Sequence, residues 1–213
     1  MRLEALADGL SSEALEFGKR KMSDLEIYTV DDPRQLAVLR SKSRKVQAVT
    51  PSLVALAQEM LETMRNANGV GLAAPQIGVT QRLFVAELPE DEEANQPQLT
   101  VILFNPEIIK GRGEQVGFEG CLSIPGYVGE VARYEQVVVK GLDEMGKAVR
   151  HRVEGYLARV FQHEIDHLDG ILYTDRLTDP ETFQPVEVGQ EEALEMQAAS
   201  ETKAAAKPQA ALA

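Results

Sequence analysis

The stretch Glu154-Gly155-Tyr156-Leu157-Ala158-Arg159-Val160-Phe161-Gln162-His163-Glu164-Ile165-Asp166-His167-Leu168-Asp169-Gly170 decides how the rest of the chain is read. It predicts a helix over residues 154–169, stopped by Gly170 where the chain needs a left-handed residue to leave a helix. With His163 at zero and about 100° per residue, His167 falls roughly 40° away. Apolar Val160, Leu157, Leu168, Phe161, Ile165 and Ala158 fill the arc from about 60° to about 220°, and Gln162, Asp169, Asp166 and Arg159 that from about 240° to about 320°. The histidine pair therefore stands on the border between a buried face and a polar one, the place for a site that lines a cleft.

Two imidazoles one turn apart can reach one ion, and His163-Glu164-x-x-His167 is the HExxH arrangement. In it the glutamate is not a ligand; it takes a proton from an ion-activated water. A divalent ion brings the pKa of such a water from about 16 to about 7, so a carboxylate suffices as the base. The same string can arise by accident in an ordinary helix. Here two of the chain's three histidines are spent on it, which favours chemistry. A catalytic ion usually has three protein ligands and one open position. Cys121, the only cysteine, is the natural third ligand because a thiolate binds such ions strongly, and Gly120 lets the backbone come close. On residue type alone, a buried thiol or a nucleophile remain open readings for it.

The 213 residues, 44% hydrophobic and 26% charged, fit one globular domain. Residues 1–188 are expected to form a single catalytic domain with a polar N-terminal arm of about 50 residues, and 189–213 an acidic Ala/Glu-rich tail, solvated or disordered. A formal net charge of -12 argues against a field-driven grip on nucleic acid or an anionic membrane. Glu4, Asp8, Glu13 and Glu16 and the lack of an apolar core near the start argue against a secretory leader, and no apolar run reaches membrane-spanning length. A lone cysteine makes no intramolecular disulfide, so the cytoplasm is the expected location.

Elsewhere, Asp31-Asp32-Pro33 reads as a turn and the basic run over residues 40–45 as a solvated face. Residues 51–68 read as a helix with Pro51 at its first turn and Asn68-Gly69 closing it. Residues 82–88 and 100–104 read as strands around an acidic loop over 89–98. Residues 134–142 and 147–153 flank Asp143-Glu144-Met145-Gly146 as a hairpin, with Val149, His151 and Val153 on one face, and His151 there is a strand histidine without chemistry. Ile171, Leu172 and Tyr173 read as a short extended segment.

Three segments taken together resemble the peptide deformylase family, which removes the formyl group from the initiator methionine of new bacterial and organellar proteins. They are Gly69-Val70-Gly71-Leu72-Ala73-Ala74-Pro75-Gln76, Glu119-Gly120-Cys121-Leu122-Ser123, and the helix segment from Gln162 to Gly170, in the family's order. The similarity runs roughly from Tyr28 to Leu177. It implies an α+β fold of mostly antiparallel β-sheets wrapped around a central helix carrying the HExxH motif. It implies Cys121, His163 and His167 as metal ligands and Glu164 as the catalytic acid/base, with the Gln76 amide and the Leu122 N–H stabilising the formyl oxygen. Val70 and Gly71 match a strand edge for the substrate peptide, where a glycine does not obstruct the approach. Val70, Tyr156 and Val160 are candidates for the methionine pocket, against plain core packing as the alternative.

The resemblance also implies Fe2+, one per chain, with Zn2+, Ni2+ or Co2+ as substitutes the donor set accepts. The implied partners are N-formyl-methionyl nascent polypeptides, and a monomer is expected. Some relatives reach the ribosome through a basic C-terminal extension; residues 181–213 carry six Glu against Lys203 and Lys207, so ribosome docking is not expected. Some members place a substrate-holding basic residue near Val128, absent here, for which Arg133 is a candidate replacement. Two rival classes are a zinc peptidase cutting unformylated chains, which leaves Gln76 and the cysteine motif without a reason, and a catalytically silent metal-binding or nascent-chain-binding protein, against which intact Glu164 and Gln76 count.

Overall fold

The computed structural model describes residues 25–88 and 98–186. Residues 1–24 of the N-terminal arm, residues 89–97 of the acidic loop and the tail beyond residue 188 lie outside them. Asp32 and Pro33, read from sequence as a turn, instead start helix α1 (Pro33–Leu39): the Asp32 carboxylate accepts from the Arg34 N–H, and Pro33 occupies the first turn, where no N–H is required. Helix α2 (Pro51–Asn66) is capped by Thr50, and Asn68, at φ 55°, makes the left-handed exit. The helix thus ends at Asn66, two residues before its expected end, and of the expected closing pair Asn68-Gly69 it is Asn68 that takes the left-handed conformation.

Strands β1 (Gly71–Ala73), β2 (Leu83–Leu88) and β3 (Leu99–Arg112) lead into β4 (Gln115–Glu119) and β5 (Tyr127–Arg133). The hairpin of β6 (Gln136–Leu142) and β7 (Ala148–Glu154), helix α3 (Gly155–Leu168) and the short β8 (Gln184–Pro185) complete the order. One antiparallel sheet runs β1-β2-β3-β6-β7, and a second runs β4-β5-β8. The first sheet is sandwiched at its β1–β3 end. Alternation along β2 sends Phe84 and Ala86 to α3, where they meet Ala158, Phe161, Ile165 and Leu168, and sends Leu83 and Val85 to Ala57, Met60, Leu61 and Met64 of α2. At the other edge β7 turns Val149, His151 and Val153 inward and leaves Arg150 and Arg152 exposed. The His151 ring lies 5.8 Å from that of Phe161, as a packing histidine does.

Strand β3 runs far beyond its expected end at Phe104. The register shifts between Phe104 and Glu107, with Asn105 at φ 52°, so the chain passes through a bulge and resumes pairing with β6. The Asn105 amide accepts from Val46 N and donates to Val46 O, both at 2.8 Å, which fixes the bulge to the segment before α2. Tyr173 opens a 3-10 turn (Tyr173–Asp175) and does not continue an extended run; it is buried, and its hydroxyl donates to Tyr127 O at 3.0 Å.

The basic run keeps its charged side chains at the surface, with Arg40 paired to Asp175 and Lys42 to Asp169. Its backbone does something else: the Ser43 N–H donates to Leu168 O at 2.9 Å, and Arg82 reaches the same carbonyl at 3.4 Å. The C-terminal end of α3 is thereby closed. Beyond it Gly170, at φ 75°, brings the chain so close to Arg40 that an added Cβ would stand 2.4 Å from the Arg40 carbonyl oxygen.

Candidate metal centre

Helix α3 is the central element, and it differs from its sequence reading in one respect. Gln162, Arg159 and Asp166, assigned to a polar face, are all buried. Each has its polar atoms satisfied, which is the condition for burial. Arg159 donates to Gly117 O, Val131 O, Gln115 O and Glu119 Oε1, joining the helix to the β4-β5 sheet. Gln162 accepts from Tyr134 N at 3.0 Å and donates to Tyr134 O at 2.9 Å, as a neighbouring strand would. Asp166 pairs with Arg133 and Arg176. The histidine pair therefore sits between two packed faces.

The turn after β4 brings Cys121 to that pair. Ile124 N donates to Cys121 O at 2.8 Å, closing the turn, and Ser123 N donates to Cys121 Sγ at 3.4 Å. Sγ then lies 3.2 Å from His167 Nε2, which is 3.2 Å from His163 Nε2. The three donor atoms all fall within 4.8 Å of one another. Two imidazoles and a thiolate arranged tetrahedrally on one ion at about 2.0–2.3 Å stand about 3.3–3.6 Å apart, so the donor set fits a metal.

Behind it, His163 Nδ1 donates to Glu119 Oε2 at 3.0 Å, which leaves Nε2 with its lone pair toward the centre. Glu119 also accepts from Arg133 Nε and Nη2 and Arg159 Nη1, each at 2.8 Å. Burial works to raise the Glu119 carboxyl, but Arg133 and the His163 contact hold it well below the usual carboxylate range. Burial likewise disfavours charge on His163, yet the hydrogen bonds to Cys121 and Glu119 push it well above the ordinary imidazole value; in the metal-free chain the place between those two groups favours a cation. His167 is pushed well down by burial and by the positive charge of His163, so it stays a neutral donor.

Gln76 reaches the centre from the 3-10 turn that follows β1 (Ala74–Ile77). Its Oε1 accepts from Ala73 N at 2.8 Å, which aims Nε2 at Ser123 Oγ (3.2 Å) and Cys121 Sγ (3.6 Å). Glu164 is buried, 3% exposed, with its carboxylate over Gly71. The site thus gathers Cys121, His163, His167, Glu164 and Gln76 from α3, β1 with its following turn, and the turn after β4, with Leu122 next to Cys121. Val70, Tyr156 and Val160 share one apolar cluster with Phe161 and Ile165. Arg133 is no candidate for holding a substrate peptide: its side chain is 3% exposed and occupied by Glu119 and Asp166. The sequence reading missed the Glu119–Arg133–Arg159 group; its one local sign was an acid two residues before Cys121, at the end of β4.

The model of the polypeptide deformylase family matches residues 24–183. A peptide deformylase of Thermomicrobium roseum is 48% identical over 170 residues, 79% of this chain and 94% of that protein. One of Symbiobacterium thermophilum is 53% identical over 172 residues, 80% of this chain and 74% of its own length. Among solved structures, the Thermotoga maritima peptide deformylase is 38% identical with a TM-score of 0.66, covering 74% of this chain and 99% of that one. A class I type b enzyme from Acinetobacter baumannii with Met-Ala-Ser bound is 34% identical, TM-score 0.66, covering 73% of this chain and 99% of its own. The α+β fold with antiparallel sheets matches that of these structures, and the chain belongs to the polypeptide deformylase family, metal-dependent hydrolases of formylated peptides.

Proposed function

We propose that this deformylase removes the N-formyl group of initiator formyl-methionine with Cys121, His163 and His167 holding one ion, Glu164 moving the proton, and Gln76 and Leu122 binding the formyl oxygen. The observation that carries the reading is the meeting of three donor atoms within 4.8 Å beside a buried glutamate and an oriented amide nitrogen. When bound, the ion supplies Lewis acidity, polarising the formyl oxygen and acidifying the attacking water. Glu164 accepts a proton from that water as its oxygen attacks the formyl carbon. The oxygen of the tetrahedral species accepts from Gln76 Nε2 and the Leu122 N–H, donors fixed before the charge forms. Glu164 then passes the proton to the methionine nitrogen, the C–N bond breaks, and formate and a free amino terminus leave.

The donor set accepts ferrous iron, and Fe2+ is the metal proposed, with Zn2+, Ni2+ and Co2+ as substitutes. Val70 and Gly71 offer the substrate a sheet edge, since β1 has β2 alone as a sheet neighbour among the described residues. The methionine side chain is assigned to Val70, Tyr156 and Val160. No helix among the described residues is long and apolar enough to cross a membrane. The proposed setting is the cytoplasm, as a monomer acting on nascent chains without docking through its acidic tail.

Glu164→Gln keeps shape and removes the base. It should retain full metal content by elemental analysis of anaerobically purified protein while formate release from formyl-Met-Ala-Ser falls at least about 100-fold. Turnover at the parent rate would remove Glu164 from the role. The same elemental analysis on the parent chain reads the metal.

A further inference from the structure

Gly71 and Glu164 come from different elements and occupy one space. A Cβ built on Gly71 would lie 2.2 Å from Glu164 Oε1, 2.7 Å from its Cδ and 3.0 Å from its Cγ. All three are inside the separation of about 3.5 Å that non-bonded atoms keep. Neither backbone is free to withdraw. Gly71 is registered opposite Ala86 of β2, and its neighbour Val70 accepts from Glu87 N at 2.9 Å. Helix α3 is held by Ala158, Phe161, Ile165 and Leu168 in the core, by Arg159 across the second sheet, and by Ser43 and Arg82 at its end. What yields under a collision is the carboxylate end of the glutamate, the flexible part. A side chain at position 71 would therefore leave the fold standing and turn Glu164 away from its place.

We infer that Gly71 is a positioning residue for Glu164: the bare backbone of β1 is the berth in which the carboxylate lies, and it sets where the proton is taken and delivered. This rests on the acid/base assignment of Glu164. It differs from the ordinary reading of a glycine here, which is that the incoming peptide needs the room. The two readings divide the kinetics differently, because a peptide that no longer fits raises KM, whereas a displaced base lowers kcat.

The test is Gly71→Ala in the metal-loaded protein. Its kcat on formyl-Met-Ala-Ser should fall on the order of 100-fold, the cost of about 1 Å of misplacement, with KM, metal content and melting temperature near those of the parent. Glu164→Asp shortens the side chain and clears the added methyl. The fold-loss it causes should be smaller in the Gly71→Ala background than in the parent chain. Equal losses in both backgrounds, or a raised KM with kcat kept, overturn the inference.

A third arm reads binding and folding without turnover. Adding Gly71→Ala to Glu164→Ala should leave the calorimetric affinity for Met-Ala-Ser unchanged. A lost affinity there assigns the glycine to peptide clearance and overturns the inference. Should Gly71→Ala alone fail to fold, the pair should recover the melting temperature of Glu164→Ala, the collision partner being gone; a pair that stays unfolded overturns it too. Failure of the acid/base reading shows separately, as parent turnover in Glu164→Gln, and leaves the binding arm intact.

Discussion

Glu119 accepts from an imidazole and two guanidinium groups at once, and that is more than an acid two residues from a ligand needs for stability alone. Its carboxylate fixes the His163 tautomer and raises the donor strength of Nε2. Glu119→Gln keeps the volume but offers one oxygen where two served, and leaves Arg133 and Arg159 short of an anion. Metal affinity by chelator competition should fall about 10–100-fold. Unchanged affinity would show that the contact does not tune the ligand. Little of this residue's role was legible in sequence, because its partners come from 14, 40 and 44 positions away. His163, Glu164 and His167 were legible from helical phase, which needs only the step of four positions from His163 to His167. Cys121 was a candidate by residue type alone and Gln76 carried no signal at all: a lone cysteine and a buried amide have no spacing pattern, so it took their segments' likeness to a known family to assign them.

At the scale of elements, α3 is the piece on which both sheets are assembled. The Phe161 ring meets Phe84 of β2 edge-on, centroids 5.2 Å apart, and both are fully buried. Phe161→Ala should destabilise the protein by about 3–5 kcal/mol in urea unfolding, the cost of lost burial plus the cavity left behind. A smaller loss would mean the helix settles into the gap. The 3.6-residue pattern made α2 and α3 readable to within two residues at their ends, and the β6-β7 hairpin was readable from its turn. Strands β4 and β5 were missed, since Gly117, Gly129 and the charges of Glu130 and Arg133 interrupt the apolar alternation that marks a strand. They are strands because Arg159 and the turn at Cys121 give their polar groups partners that no local pattern announces. Helix α1 was missed for the opposite reason: seven residues are too few to show a period, and its cap reads equally as a turn.

At the scale of the whole molecule, four carboxyls among the described residues have folded values below their ordinary ones: Asp32, lowered by its hydrogen bonds with Arg34, and Glu119, Asp169 and Asp175. Burial acts against this at the last three, but Arg133 lowers Glu119, the Arg82 hydrogen bond lowers Asp169 and the Arg40 hydrogen bond lowers Asp175. A carboxyl depressed in the folded state adds stability that is complete above its unfolded value and is lost as pH falls through the folded one. The carboxyls should therefore add a fall in the melting temperature of the metal-free protein through and below the ordinary carboxylate value of about 4, after an earlier decline below about pH 6.5, where the unfolded chain protonates His167 and the fold keeps it neutral. A melting temperature unchanged from about pH 5 to about pH 3 would place the control in other groups. The β7 border of the larger sheet, which pairs with no further strand among the described residues, carries a different message. Strand β7 ends the sheet with Arg150 and Arg152 facing outward. If two molecules zipped these borders together antiparallel, arginines of one copy would be set against arginines of the other, and the growing seam would repel itself. A crowded solution of freshly made chains is where unwanted sheet extension begins, and this rim is built to discourage it.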